Sequence, residues 1–255
     1  MSHDRDYGAL GRIGIVTPQA NPTVEPEIGI LLPARVSMVV ARCTSRGEPE
    51  QRLREYILQL GETLQRFDTM PLEAVGFGCT GSTYLVGHEA EARILGALET
   101  EFGYPVISAA QAIDAALQFL GARRVALACP YPAWLLDAAH RYWAGRGYEI
   151  VTGGSVQPDS ADTRSIYELH EDAAGRSMRQ MFDDVEADVL LITGTGMPSL
   201  RLLCELTGAH DRPALSSNLC LAWQCLRAAG IAPNERGPSD AFPLLSGWQD
   251  SVHRL

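Results

Sequence analysis

Cys79 is the side chain in this sequence best placed for covalent or proton-transfer chemistry. It ends the run Ala-Val-Gly-Phe-Gly-Cys at 74–79 and is followed by Thr80 and Gly81, a composition typical of the turn from a buried strand into a helix. Backbone N–H groups at such a turn bind carboxylates, and their partial positive charge lowers the pKa of a thiol. The alternative is a small buried side chain without reactivity. We expect a reactive thiol beside an anion-binding loop that includes Thr80 and Gly81.

Three other loops place polar or small residues directly after an apolar run, at 17–21, 130–131 and 194–196. Asn21 can cap a helix, donate its amide to a substrate, or do both. The phenol of Tyr131 can donate a hydrogen bond to a carboxylate, or its ring can fill a domain seam. Ser217 and Asn218 follow the last apolar run, where they either cap a helix or form a rim of polar contacts.

No cofactor site is predicted. The glycines of 76–81 match the spacing of a dinucleotide-binding loop, but they follow the third apolar run instead of the first, and the acidic residues about 20 positions on fall in a helical pattern. The histidines lack metal-ligand spacing. Core packing is the default interpretation of the other five cysteines, which are Cys43, Cys129, Cys204, Cys220 and Cys225.

Charge and hydropathy exclude several partner classes. The formal net charge is -10 and no run of Lys or Arg occurs, so we expect neither nucleic acid nor an anionic membrane as partner. No stretch reaches the roughly 18 apolar residues of a membrane span. Scattered cysteines without a CxxC pair and a polar amino terminus indicate a reducing, cytoplasmic compartment. Self-association into a homo-oligomer is left open by the sequence.

The chemistry-bearing loops follow short apolar runs that alternate with helical patterns. The runs predicted as strands lie at 12–18, 36–43, 74–79, 105–108, 123–129, 149–153, 188–193 and 213–217. Apolar residues at i, i+3 and i+4 predict helices at 50–67, 88–102, 132–147, 177–187 and 220–230. This alternation indicates an α/β fold with parallel sheets. The loops named above would then lie at the carboxyl edges of the strands, where α/β proteins bind ligands.

The pattern occurs twice along the chain. The run that begins at Arg12 resembles the run that begins at Arg124, 112 positions later, and the loop around Cys79 resembles the loop around Gly194, 115 positions later. We expect two similar doubly wound domains related by a pseudo-twofold axis, with the active site between them. The predicted boundaries are 1–120 for the first domain, completed by 218–255, and 121–217 for the second.

Five motifs in order resemble the aspartate/glutamate racemase superfamily. They are T-P-Q-A-N-P-T-V-E-P-E at 17–27, G-C-T-G-S at 78–82, C-P-Y at 129–131, G-T-G-M-P-S at 194–199 and S-S-N at 216–218. The sequence is most similar to the branch of maleate cis–trans isomerases and arylmalonate decarboxylases. The resemblance implies two facing domains, no cofactor, and carboxylate contacts from Asn21, Thr80, Tyr131, Thr195 and Gly196, with Ser217 and Asn218 near the pocket.

The family places cysteines at one or both of two mirrored positions, and here the second is Gly194. Two-base racemisation needs a proton carrier on each face of the substrate carbon, so it is not expected. Cys79 could add to an alkene as a nucleophile, which predicts a maleate isomerase-like activity on a small dicarboxylate. It could also donate a proton after loss of carbon dioxide, as in an arylmalonate-type decarboxylase. A binding protein without catalysis is the third alternative.

Gly194 also suggests a test of the two-domain arrangement. If the two halves face each other, Gly194→Cys should place a second thiol opposite Cys79 and introduce two-sided proton exchange. Strain of about 1–2 kcal/mol is expected if Gly194 has a positive φ.

Overall fold

Two parallel four-stranded sheets, each covered by helices, form the protein in a computed structural model. The structure describes residues 5–156, 162–169, 171–183, 185–209, 211–233 and 242–252. No helix in those ranges is both long enough and apolar enough to cross a membrane. The strand order is 2-1-3-4 in the first sheet, and the second sheet repeats it with its own four strands. The predicted α/β class and the twofold repetition of the strand pattern are confirmed.

The first sheet and its helices come from residues 11–120. In chain order the elements are β1 (Gly11–Pro18), α1 (Val24–Leu31), β2 (Val36–Cys43), α2 (Pro49–Leu58), α3 (Leu60–Leu64), β3 (Ala74–Phe77), α4 (Thr80–Val86), α5 (His88–Phe102), β4 (Val106–Ser108) and α6 (Ala109–Leu120). A short 3₁₀ turn, Gln65–Phe67, follows α3. The helical pattern at 50–67 therefore forms three short pieces instead of the single predicted helix.

The second sheet repeats this arrangement. Its elements are β5 (Arg124–Cys129), α7 (Ala133–Gly145), β6 (Glu149–Ser155), α8 (Glu171–Phe182), β7 (Val189–Ile192), α9 (Leu200–Ala209), β8 (Ala214–Ser216), α10 (Ser217–Ala228) and α11 (Gln249–Val252). A 3₁₀ segment, Thr163–Glu168, lies between β6 and α8. The helix predicted at 177–187 was misplaced, because α8 begins at Glu171 and ends at Phe182.

The strand order explains where a site can form. In each sheet the chain goes first to one side of the initial strand and then to the other, so a crevice opens between β1 and β3 and between β5 and β7. Residues 13–16 of β1 and all of β7 are buried, as expected for strands covered on both faces. The loops after these four strands carry Asn21, Cys79, Tyr131 and Gly194.

The carboxyl-terminal helices pack across both halves. Helix α10 follows β8 in the chain but packs on α6, α1 and β3 of the first half, whereas α11 packs on α9. Trp248 is buried, so the carboxyl-terminal segment 242–252 packs against the rest of the protein. The predicted domain boundaries at 120 and 217 stay a prediction, and residues 234–241 lie outside the described ranges.

Candidate active site

A cavity of about 360 Å³, part of it open to solvent, lies where the loops of the two halves meet. All but two of the site residues predicted from the sequence line it. The lining consists of Pro18, Asn21, Leu53, Cys79, Thr80, Gly81, Tyr131, Leu135, Thr163, Ile166, Tyr167, Gly194, Thr195 and Gly196. Because both halves contribute, the cavity depends on how they are held together.

Cys79 occupies the position directly before α4. Its side chain is 4% exposed, and the hydroxyl of Ser82 donates a hydrogen bond of 3.1 Å to its sulfur. Burial raises the pKa of this thiol above its ordinary value, while Ser82, the N–H groups of Ser82 and Gly81, and the guanidinium of Arg52 act against that rise. The predicted lowering of the pKa is wrong in net direction, because loss of hydration disfavours the thiolate more than these groups favour it.

Thr80 and Tyr131 form a pair of hydroxyls that bridges the two halves. Their oxygens are 2.5 Å apart and share a hydrogen bond, and both side chains are buried at the cavity. Burial raises the pKa of Tyr131 well above its ordinary value. The phenol therefore stays protonated and can donate to an anion.

Asn21 combines the two roles considered from the sequence. Its Oδ1 accepts hydrogen bonds from the N–H groups of Thr23 at 2.9 Å and Val24 at 3.2 Å, which stabilises the start of α1. Its Nδ2 donates to the hydroxyl of Thr195 at 3.4 Å. That hydroxyl in turn donates to the carbonyl oxygen of Gly78 at 2.8 Å. These bonds hold the loop of the second half against the residue preceding Cys79.

Gly194 lies in the cavity with Cys79, as the repeat predicts, but it cannot simply be exchanged for cysteine. Its φ is 101°, a conformation that side chains of L-residues rarely adopt. A Cβ atom there would be 2.7 Å from Cδ of Pro130. The strain expected for a positive φ is therefore present, and the contact with Pro130 adds a steric cost to it. Both costs act against the two-sided proton exchange expected of Gly194→Cys.

Ser217 and Asn218 are not among the described residues that line the cavity. Both are buried at the start of α10, after the cap residue Ser216, whose hydroxyl accepts a hydrogen bond from Leu219. Nδ2 of Asn218 donates to the carbonyl oxygen of Thr195 at 3.1 Å and to Oε2 of Glu27 at 2.7 Å. Asn218 thus lies behind the cavity wall instead of in it.

Several lining residues carried no chemical signal in the sequence. Leu53 and Leu135 have the helical spacing of ordinary core residues. The residue types of Asp159, Ser160 and Asp162 are typical of a solvated loop, yet Asp162 accepts a hydrogen bond of 2.8 Å from the buried Arg52 of the first half. Asp159 and Ser160 lie outside the described residues. The 3₁₀ segment that follows brings Ile166 and Tyr167 over the cavity.

The remaining thiols lie away from the lining. All six cysteines are within the described ranges, and none of them forms a disulfide. Cys129 directs its sulfur to the carbonyl oxygen of Gly154 at 3.6 Å, and burial raises its pKa to about 12. In the described part of the chain, no three His, Cys, Asp or Glu residues come together as metal ligands. Independence from cofactors stays a prediction.

Comparison with known proteins identifies the family. The family model of arylmalonate decarboxylase matches residues 13–242. The chain belongs to this family. Maleate isomerase of Pseudomonas putida is a relative with 25% identity over 252 residues, covering 93% of this chain and 98% of the relative. The predicted branch, which joins maleate isomerases to arylmalonate decarboxylases, is thereby confirmed.

Solved structures of the family share the fold. A crystal structure of arylmalonate decarboxylase superimposes with a TM-score of 0.74 at 20% identity, covering 91% of this chain and 98% of the other. A second structure is that of a cysteine-to-serine mutant of Nocardia farcinica maleate cis-trans isomerase with a covalently bound succinylcysteine intermediate. It superimposes with a TM-score of 0.75 at 24% identity, covering 87% of this chain and 93% of the other. The predicted fold class is confirmed by these likenesses.

Proposed function

We propose that this protein is a cofactor-independent isomerase of a small dicarboxylate, with maleate as the first substrate to test and Cys79 as nucleophile. The observation that carries this proposal is the position of Cys79 in a cavity between the two halves, beside several neutral hydrogen-bond donors. The maleate isomerase relatives support it, as does the succinylcysteine intermediate of the Nocardia farcinica enzyme.

In the proposed reaction the thiolate of Cys79 adds to one alkene carbon, and the π electron pair moves onto the neighbouring carbon and its carboxylate. The former double bond is now single and rotates. The electron pair then re-forms the alkene in the trans geometry, and the thiolate leaves. No proton is gained or lost in the cycle, so no second base is required at Gly194.

The described residues supply what these steps need. We assign substrate carboxylate binding to the Thr80 and Tyr131 hydroxyls, to the amide of Asn21, and to the loops containing Gly81 and residues 194–196. Preorganised donors of this kind stabilise the negative charge that develops on the carboxylate. Ser82 and Arg52 stabilise the thiolate against its burial. Ser217 and Asn218 belong to the supporting layer behind the cavity.

The test is a substrate panel of maleate, substituted malonates and acidic amino acids, followed by NMR in deuterated water. We expect conversion of maleate to fumarate without deuterium incorporation. Cys79→Ala should abolish turnover while the fold is retained, as judged by circular dichroism. A tenfold loss of rate corresponds to an increase of about 1.4 kcal/mol in the activation barrier. If the variant keeps more than about a tenth of the wild-type rate, Cys79 is not part of the mechanism.

A second candidate function is favoured by the raised pKa of Cys79. A thiol that stays protonated at neutral pH is suited to donate a single proton to a carbanion left after loss of carbon dioxide, as in an arylmalonate-type decarboxylase. Leu53, Leu135 and Ile166 form an apolar part of the lining, which suits an aryl substituent. This alternative predicts that a substituted malonate loses carbon dioxide in deuterated water and that the product carries one deuterium and forms as a single enantiomer.

The third alternative, a racemase-like binding protein, predicts ligand binding without turnover of any member of the panel.

We propose the cytoplasm as the site of action, because none of the six cysteines is in a disulfide. Homo-oligomerisation is tested by light scattering of the purified protein. We also keep the proposed domains, 1–120 with 218–255 and 121–217, for limited proteolysis to test.

A further inference from the structure

A buried carboxylate lies at the seam of the two halves, outside the cavity. Glu27 is on α1 of the first half and is 5% exposed. It accepts hydrogen bonds from the N–H groups of Ser199 at 2.5 Å and Leu200 at 3.2 Å, and from the hydroxyl of Ser199 at 2.9 Å. It thus caps the first turn of α9 in the second half, where a negative group is favoured.

The fourth donor to Glu27 links it to the cavity wall. Nδ2 of Asn218 gives one hydrogen to Oε2 of Glu27 and the other to the carbonyl oxygen of Thr195. The ionised carboxylate of Glu27 and the carbonyl of Thr195 can only accept, so the amide nitrogen must face them. Oδ1 of Asn218 has no hydrogen-bond partner among the described residues. The orientation of this amide is therefore set by Glu27 and Thr195 alone.

We propose that Glu27 is a positioning residue that, through Asn218, holds the 194–196 loop in the conformation that binds a substrate carboxylate. This inference rests on the proposed function, which assigns carboxylate binding to that loop. The loop carries Thr195, whose hydroxyl bonds the carbonyl oxygen of Gly78 next to Cys79. A shift of the loop therefore alters the distance between the carboxylate cradle and the thiol.

Glu27→Gln exposes this role because it preserves volume while it replaces one acceptor by a donor and removes the negative charge of the carboxylate. A glutamine keeps its amide oxygen for the two N–H groups of α9, so its amide nitrogen faces the donor group of Asn218. Asn218 relieves that conflict by rotating Oδ1 toward residue 27. The same rotation turns Oδ1 toward the Thr195 carbonyl, where two acceptors repel each other, and the loop must move.

Ser199→Ala is the matched control. It removes a buried hydroxyl that bonds both oxygens of Glu27, but it leaves the contacts from Asn218 to Glu27 and Thr195 in place. With maleate as substrate, we expect Glu27→Gln to raise KM about fivefold or more with a smaller change in kcat, the pattern of weakened substrate binding. Ser199→Ala should lower the melting temperature to a similar degree and leave KM within about twofold.

A second readout does not depend on turnover. The rates at which iodoacetate and iodoacetamide alkylate Cys79 are measured by mass spectrometry of the peptide that contains it. A cradle that binds carboxylate raises the iodoacetate-to-iodoacetamide ratio above that of the unfolded chain. Glu27→Gln should lower this ratio about fivefold, whereas Ser199→Ala should not change it. If the wild type isomerises nothing, the proposed function fails, but this ratio still decides the role of Glu27.

Equal effects of Glu27→Gln and Ser199→Ala on both readouts would overturn the proposal, as would an unchanged KM and an unchanged ratio in Glu27→Gln. So would a wild-type ratio no higher than that of the unfolded chain. If Glu27→Gln does not fold, Asn218→Ala decides, because it removes the contact with Thr195 and leaves the bonds between Glu27 and α9. A raised KM or a lowered iodoacetate-to-iodoacetamide ratio in Asn218→Ala supports the proposal, and unchanged values refute it.

Discussion

Burial and the hydrogen bonds at the start of α4 act in opposite directions on the thiol of Cys79. The net effect is a raised pKa, so Cys79 is mainly a protonated thiol at neutral pH. A nucleophile must lose this proton before it attacks, whereas a proton donor must keep it. The same environment therefore has opposite consequences for the two candidate reactions, and pH dependence separates them.

Ser82→Ala removes the hydroxyl that donates to the sulfur of Cys79 and should raise the pKa of the thiol further. If Cys79 is the nucleophile, the rate rises with pH as the thiolate forms. The rising limb of the pH–rate profile therefore lies at higher pH in the variant than in the wild type. The rate at neutral pH should fall about tenfold, because a hydrogen bond to a charged group contributes about 1.5 kcal/mol. The pH–rate profile measures this shift.

Thr83→Val provides the control, because the hydroxyl of Thr83 donates to the carbonyl oxygen of Thr80 instead. It should leave the position of the limb unchanged. If Cys79 is a proton donor, activity falls as the thiol ionises, and Ser82→Ala extends activity to higher pH without loss at neutral pH. That outcome would contradict the nucleophile and favour decarboxylation.

Tyr131→Phe removes a buried hydroxyl that is proposed to donate to the substrate. We expect KM to rise about tenfold, the effect of one lost hydrogen bond to a charged group. Tyr84→Phe is the control, because Tyr84 packs edge-on against Tyr131 and accepts a hydrogen bond from Trp143 without lining the cavity. It should reduce stability by about 1 kcal/mol and leave KM unchanged. Equal KM values in the two variants would refute the assignment of Tyr131.

At the scale of elements, the loop after β7 combines tight packing with an unusual backbone. Gly194→Ala should lower the free energy of unfolding by about 2 kcal/mol or more, because a φ of 101° is strained for alanine and the new Cβ meets Pro130. Gly194→Cys should behave in the same way and should not become an efficient racemase. Chemical denaturation and deuterium exchange of a chiral 2-aryl acid measure the two effects.

Gly29→Ala is the matched glycine substitution. Gly29 lies in α1, and a Cβ atom there would have open space around it. We expect this variant to gain about 0.5–1 kcal/mol of stability, because alanine favours the helix and restricts the unfolded chain. If Gly194→Ala were equally stabilising, the backbone of the 194–196 loop would be different from the one described.

At the scale of the whole molecule, the two halves are joined by buried and partly buried polar contacts as well as by packing. Glu27 bonds the first turn of α9, the hydroxyl of Thr23 donates to the carbonyl oxygen of Gly196 at 2.8 Å, and Arg52 pairs with Asp162. Gly196, one of these partners, lines the cavity, and Thr163, the neighbour of Asp162, lines it as well. The site is thus assembled by the same bonds that hold the halves together.

The seam is expected to make stability depend on pH. Burial raises the pKa of Glu27 from 4.5 to about 7, against the lowering effect of Asn218, Ser199 and Leu200. Between these values the unfolded chain ionises Glu27 and the folded protein does not. The contribution of protonated Glu27 to the free energy of unfolding is therefore fully present below pH 4.5. It is lost as the pH rises toward 7, and the free energy of unfolding falls by up to about 3 kcal/mol.

The measurement compares the free energy of unfolding of wild type and Glu27→Gln at pH 5 and pH 8, so that the other titrating groups cancel. Relative to the variant, the wild type should be less stable at pH 8 than at pH 5. A constant difference between the two proteins would contradict the raised pKa of Glu27. Among the described residues, the groups hydrogen-bonded to Glu27 belong to Ser199, Leu200 and Asn218 and are all neutral, so none of them forms an ion pair that masks the effect.

Local sequence was sufficient for the strand positions and for most of the cavity lining. Runs such as 36–43 and 123–129 are read from neighbouring residues, and the carboxyl ends of parallel strands must meet at one edge. The repeat then placed Cys79 and Gly194 in the same cavity. These predictions held because each depends on residues close together in the chain or on a topology that the α/β alternation implies.

Tertiary structure alone decided the rest. The raised pKa of Cys79 depends on how completely the surrounding chain excludes water, and the clash at Gly194 depends on where Pro130 packs. Glu27 ends the motif at 17–27, but the sequence assigned it no role, because its partners Ser199 and Asn218 are 172 and 191 positions away. Burial, steric fit and long-range hydrogen bonds are properties of three-dimensional neighbours, and residue order along the chain does not determine them.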